Sequence, residues 1–327
     1  MSQQRDILVV IDPTAAEQPA LARGAELARR LGCDLELLIC HYDSRYAGSR
    51  IFGTAEREAL RRQALEHQLG YLNSLARDYA TQGLTITTRA VWDTPLAEGI
   101  IRACLRSEPR LVLKDTHYHS AISRTLFTNT DWLLIRDCPA PLWLVRSGPL
   151  EKPVILASVD PLNEHDKPGS LDESILDESA MLANALEGTL HVYHGYDATP
   201  QIARVGAFAA APVPVPVEDI EARVRAEHAK AFSELIEHRK LAPQNCHLLS
   251  GGPASMLPPL ARKLNAQLVV MGALARGRMK QAVVGSTAER VLDHLPGDVL
   301  IVKPQGYQSA VTFKARSADF MDLIGSA

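Results

Sequence analysis

Short, unbroken apolar runs alternate along the whole chain with longer stretches of helical periodicity. The first run, DILVVIDP (6–13), is followed by a helical stretch over Ala15–Leu31 that stops at Gly32. A second run, DLELLICHY (34–42), precedes a long helical stretch over Ala55–Tyr79. LTITTRAV (84–91) leads into a Pro-led helix over Thr94–Leu105, LVLK (111–114) into a variable loop and helix, and PLWLVR (141–146) ends the series. Apolar runs of this length bounded by breakers read as strands buried on both faces of a parallel sheet. Glycine just past a helix is a stop signal, and proline suits its first turn.

The series then repeats. VILASVDP (154–161) matches DILVVIDP, with helices over Leu171–Leu186, Val217–His238 and Pro253–Leu264, and with strands TLHVYHGY (189–196), CHLLSG (246–251), LVVMG (268–272) and DVLIVK (298–303). The pattern is β-α-β-α-β-α-β-α-β, twice. Right-handed crossovers make each copy a doubly wound α/β sheet with helices on both faces. The expected domains are 1–148 and 152–304, joined through SGPLEKP (147–153), with a C-terminal tail over 305–327 that straps back onto the body or forms an oligomer contact. The apolar, Pro-rich segment Ala198–Val217 lies outside the repeat and reads as a crossover or a lid.

Ligands of such sheets bind beyond the carboxyl ends of the strands, where strand order reverses. There the two copies differ. Leu111–Val145 aligns without a gap on Leu268–Val302, which sets Asp115 against Gly272 and Thr128-Asn129 against Gly285-Ser286. In the second copy Gly272 frees the backbone to turn, and Ser286 is a good N-cap for a helix over Thr287–Leu295. A helix start with free N–H groups is an anion site, and Arg276, Arg278 and Lys280 add positive charge. In the first copy a carboxylate about 4 Å from a phosphate costs about 4 kcal/mol at an effective dielectric of about 20, so no nucleotide triphosphate is expected there.

The repeat order and this loop resemble the universal stress proteins, in the tandem, E-type arrangement. ATP-binding members of that family carry Gly-x2-Gly-x9-Gly-[Ser/Thr] after the fourth strand; here it reads Gly272-Ala273-Leu274-Ala275, nine residues, then Gly285-Ser286. Ala275 replaces the second glycine. If that position needs a left-handed backbone, its Cβ costs about 1–2 kcal/mol. The resemblance implies two tandem five-stranded parallel sheets of order 3-2-1-4-5. It also implies an ATP site in the second half lined by Ser158, Val159, Asp160, Met271, Gly272, Ala275, Arg276, Gly285, Ser286 and Thr287, with adenine near Tyr193–Gly195. Asp160 would hydrogen-bond ribose or hold Mg2+ through water. The resemblance further implies a pseudo-dimer of the two halves, with a homodimer open, and a stress-response role read out by an unknown downstream protein.

Composition narrows the classes. The 327 residues carry a net charge of −3, with 46% hydrophobic and 22% charged positions, as in a globular protein with no general attraction to nucleic acid or anionic membrane. Five dispersed cysteines at 33, 40, 104, 138 and 246 form no CxxC and fit a reducing cytoplasm. No run is long enough to span a membrane. His117 and His119, with Asp115, are candidate metal ligands in a loop that also reads as solvated, and His191 and His194 read as packing or surface residues. No nucleophile elbow, HExxH or Walker motif occurs, so no catalytic residue is assigned. Two alternatives remain: a carrier or sensor of a non-nucleotide metabolite, and a slow metal-dependent ATPase.

Overall fold

The computed structural model describes residues 6–45, 53–116, 127–146, 150–162, 170–207, 216–272, 274–275, 283–284, 290–315 and 320–326. In chain order the first copy forms β1 (Ile7–Val10), α1 (Pro19–Leu31), β2 (Leu35–His41), α2 (Thr54–Ala80), β3 (Ile86–Trp92), α3 (Leu96–Ser107), β4 (Leu111–Asp115), α4 (Asn129–Asp137) and β5 (Leu142–Val145). The second forms β6 (Val154–Ser158), α5 (Ser170–Ala185), β7 (Thr189–Tyr196), α6 (Thr199–Ala207), α7 (Val217–Ile236), β8 (Cys246–Ser250), α8 (Pro253–Lys263), β9 (Leu268–Gly272), a two-residue pair β10 (Leu274–Ala275) and β11 (Val283–Val284), and β12 (Asp298–Val302); β13 (Met321–Ser326) closes the chain.

The chain divides into unit 1, residues 1–150 with 306–327, and unit 2, residues 151–305. In unit 1 the strands run β13-β3-β2-β1-β4-β5, all parallel except the terminal β13, which lies antiparallel on β3. In unit 2 the order is β12-β9-β6-β7-β8, all parallel. The apolar runs are what they read as: Ile7, Leu8, Val9, Val112, Leu113 and Trp143 in unit 1, and Ile155, Leu156, Val269 and Ile301 in unit 2, are fully buried.

Three details go beyond the sequence reading. Unit 1 has a sixth, antiparallel strand, because the tail returns to it: Met321 pairs with Trp92 and Ser326 with Thr87, Asp322 meets Arg89 at 3.1 Å, and the Arg106 guanidinium lies 4.5 Å over the Phe320 ring. Helix α1 begins at Pro19 rather than Ala15, because the Asp12 carboxylate takes the Thr14 N–H (2.9 Å) and hydroxyl (2.6 Å) into a turn of its own. The Pro-rich segment opens as a helix, α6, and its part over 208–215 lies outside the described residues. Among the described residues no helix is long and apolar enough to cross a membrane.

Candidate functional site

In unit 2 the chain leaves β6 toward β7 on one side and reaches β9 on the other, so the reversal of strand order falls between β6 and β9. Ser158 and Met271 are paired across that line. Val159 follows, buried, with its N–H on the Tyr193 carbonyl at 3.0 Å. Asp160 is 9% exposed, and its N–H points at both carboxylate oxygens of Asp172 at 3.1 Å. Asp172 sits in the first turn of α5, where a carboxylate favours the helix start. These contacts fix the backbone of Ser158–Asp160.

Gly272 ends β9. A Cβ there would lie 2.6 Å from Leu171 Cδ2, so the bare α-carbon makes room for the first turn of α5. Its service is to packing as well as to any ligand. Past it, Leu274 pairs with Val284 and Ala275 with Val283, antiparallel. This ladder sets Val283–Val284 beside Leu274–Ala275, two residues past the end of β9. Ala275 therefore has extended strand backbone, and the left-handed penalty expected for its Cβ does not arise. Arg276, Gly285, Ser286 and Thr287 lie outside the described residues; residues 290–292 are helical, and Val291 and Leu292 are buried.

Unit 1 resolves the same corner differently. Asp115, in the place of Gly272, accepts the Ala20 N–H at 2.7 Å and so caps α1. The expected carboxylate is present, but it is turned to a helix start of its own. The start of α4 is held by Asp131, which is fully buried. One oxygen of Asp131 accepts the Thr128 N–H and hydroxyl, each at 2.8 Å; the other lies 2.9 Å from Lys114 Nζ; and the Asp131 N–H returns to Thr128 Oγ1 at 3.2 Å. A helix start, a hydroxyl and an ammonium thus surround a carboxylate supplied by the chain itself. Lys114 and Asp131 were not among the residues singled out from sequence, although the Thr-x-x-Asp spacing of a capping box stands in plain view at 128–131. The matched residues of the second copy are Met271 and Ala288. His117 and His119 lie outside the described residues, and among the described residues no group of three or more His, Cys, Asp or Glu is placed to hold a metal ion.

The Universal stress protein family model matches the chain twice, over residues 4–146 and 166–303. The chain belongs to the universal stress protein family. It is a tandem member of this stress-response family: universal stress protein E of Escherichia coli K12 is 31% identical over 319 residues, covering 95% of this chain and 98% of that one. The universal stress protein E homolog of Haemophilus influenzae is 26% identical, covering 92% and 97%. Among solved structures, a functionally unknown protein from Pseudomonas aeruginosa PAO1 superposes with a TM-score of 0.70 at 28% identity over 92% of this chain and 93% of its own. A universal stress protein from Archaeoglobus fulgidus shares the fold, with a TM-score of 0.61 at 15% identity over 92% and 99%.

Proposed function

We propose that unit 2 binds an adenine nucleotide, ATP, at the carboxyl ends of β6 and β9, that unit 1 binds none, and that the pair acts as a cytoplasmic nucleotide sensor in the stress response. The observation that carries this reading is the contrast at the last crossover of each unit. In unit 1 the start of α4 is filled by the Asp131 carboxylate and its Lys114 partner at 2.9 Å. At the gapless matched positions the unit 2 sequence has Ala288 and Met271 in place of that pair, while Glu289, three residues after Ser286, stands at the capping-box spacing. The reading requires the N–H groups of that helix start to face a phosphate chain rather than Glu289.

Further support comes from the β10–β11 ladder, which sets Val283–Val284 antiparallel beside Leu274–Ala275, and from Asp160, which stands at the strand end where a ribose would lie. None of the five cysteines is in a disulfide, as suits a reducing compartment. ATP changes the surface a downstream protein reads only to the extent that it binds one arrangement of unit 2 better than another.

Isothermal titration with ATP, with and without Mg2+, tests the reading. Wild-type protein is expected to bind one nucleotide per chain. Ala288→Asp, which moves the unit 1 carboxylate into unit 2, is expected to weaken binding by at least about a hundredfold through like-charge repulsion. Asp131→Ala is expected to leave the unit 2 site as it was. Absence of heat with wild type, or unchanged affinity in Ala288→Asp, rejects the reading.

A further inference from the structure

Two histidines meet in the interior of unit 2, one of them within the Tyr193–Gly195 stretch that the resemblance sets near adenine. His194, near the end of β7, and His228, midway along α7, are each 1% exposed. Their rings stack at 5.0 Å, with His194 Nε2 at 2.8 Å from His228 Nδ1. The other nitrogen of His194, Nδ1, lies 3.1 Å from the Val159 carbonyl. A carbonyl only accepts, so His194 carries hydrogen on Nδ1. In the neutral ring Nε2 then accepts, and His228 Nδ1 donates to it. The result is a directed chain from α7 through β7 to the end of β6.

The twin unit serves as an internal control. Ile7 pairs with Leu35 and the equivalent Ile155 with Leu190. Counting four residues on, His194 stands where unit 1 has Ile39, which is fully buried. The fold is satisfied at this position by a plain aliphatic side chain, so packing does not explain the imidazole.

We propose that the His194–His228 pair is a proton-operated latch that holds α7 against β7 at neutral pH and lets it go on acidification. The neutral pair has one consistent donor–acceptor order. Protonating both rings sets N–H against N–H at a separation of 2.8 Å, with two cations in an apolar setting. That setting is made by Phe232 and Val224 from α7, Tyr196 from β7, Ile202 from α6 and Leu248 from β8. Of the titratable groups nearby, Tyr196 lies 5.4 Å from the His228 ring, and Asp160, next to Val159, has its N–H held by Asp172 from the start of α5. Arg225, Glu227 and Lys230 lie on the exposed side of α7. His191 and His247 belong to the opposite face of the sheet, since His191 is three residues from His194 along one strand. The bearing of the latch on ATP rests on the reading above, because Val159 adjoins Asp160; the pH response of α7 does not.

Hydrogen exchange by mass spectrometry on the full chain without ligand, with exchange times scaled for intrinsic amide rates, tests the latch. Between pH 7.5 and 5.5, peptides from α7 are expected to lose at least about tenfold in protection while β9 and β12 hold theirs. His194→Ile with His228→Leu, which copies the aliphatic solution of unit 1, is expected to abolish the difference. His228→Asn keeps a donor near Nδ1 and can turn its oxygen to a protonated His194, so it too is expected to hold α7 at both pH values. An α7 that stays equally protected in wild type, or that loosens equally in both variants, overturns the latch. Failure of the nucleotide reading shows separately, as the absence of ATP heat at either pH.

Discussion

Lys114 Nζ lies 2.9 Å from the fully buried carboxylate of Asp131, across the start of α4. The ion pair does in unit 1 what a bound anion and a basic side chain would do together. Removing one partner strands the other: Asp131→Ala deletes the helix cap and leaves an ammonium that is 16% exposed without its counter-charge. The expected loss is about 3–5 kcal/mol of unit 1 stability. All three tryptophans, at 92, 132 and 143, belong to unit 1, so urea unfolding followed by tryptophan fluorescence reports this unit alone. Adding Lys114→Met, the residue of the second copy, is expected to return at least about 1 kcal/mol. A single variant that unfolds at the wild-type urea midpoint contradicts the account.

Gly272 was read from sequence as room for a ligand, and the structure puts Leu171 in that room. Gly272→Ala sets a methyl 2.6 Å from Leu171 Cδ2 and 3.3 Å from Cγ. The leucine is the flexible partner, so the expected cost is about 1–3 kcal/mol, seen in unit 2 by circular dichroism and not in the tryptophan signal. In a Leu171→Ala background the same substitution is expected to cost less than half as much. Equal costs in the two backgrounds would separate Gly272 from α5.

Most of the architecture was legible because it is written in local signals. Runs such as ILVVI (7–11) and LVVM (268–271) are too apolar for anything but strands buried on both faces, and the breakers between them fix the element order. The long-range contacts were not legible. Nothing local to Asp115 says that it caps α1, since Ala20 is 95 residues away. Nothing in MDLIGS (321–326) says that it pairs with β3, because the register is set by Trp92 and Arg89. His194 read as an ordinary packing or surface residue because its partner lies 34 residues on, in another element. The Thr128–Asp131 box, by contrast, is readable from its Thr-x-x-Asp spacing alone.

The tail makes unit 1 complete only when the last residues of the chain are present. A chain ending at Gln305 loses β13, the Asp322 partner of Arg89, and the cover that Met321 and Leu323 give to the Leu65–Trp92 cluster. Burial of two half-covered apolar side chains is worth about 1.5–3 kcal/mol. The truncated chain is expected to show a lower urea midpoint in tryptophan fluorescence, with Trp92 more open to quenching by iodide. Hydrogen exchange in β9 and α5 of unit 2 is expected to stay at its full-length value. An unshifted fluorescence midpoint would make the tail an appendage.

His191 and His247 stack 5.2 Å apart on neighbouring strands of unit 2, with facing ring nitrogens at 2.9 Å, and burial lowers the pKa of both. For His247 the charges of His191 and Lys263 lower it further. A base whose folded pKa is depressed favours the folded state in its neutral form. Its stabilising contribution is therefore present above the ordinary histidine value of about 6.5 and is lost as pH falls toward the folded value, because the unfolded chain takes up protons first. Urea unfolding of unit 2 followed by circular dichroism is expected to show a lower midpoint at pH 5.5 than at pH 7.5. In His247→Gln that gap should narrow, since one of the two groups no longer titrates. The part of the gap that survives in His247→Gln but vanishes in His194→Ile with His228→Leu belongs to the buried pair on the other face. A gap that His247→Gln leaves unchanged would mean that the exposed-side pair takes up its proton equally well folded and unfolded.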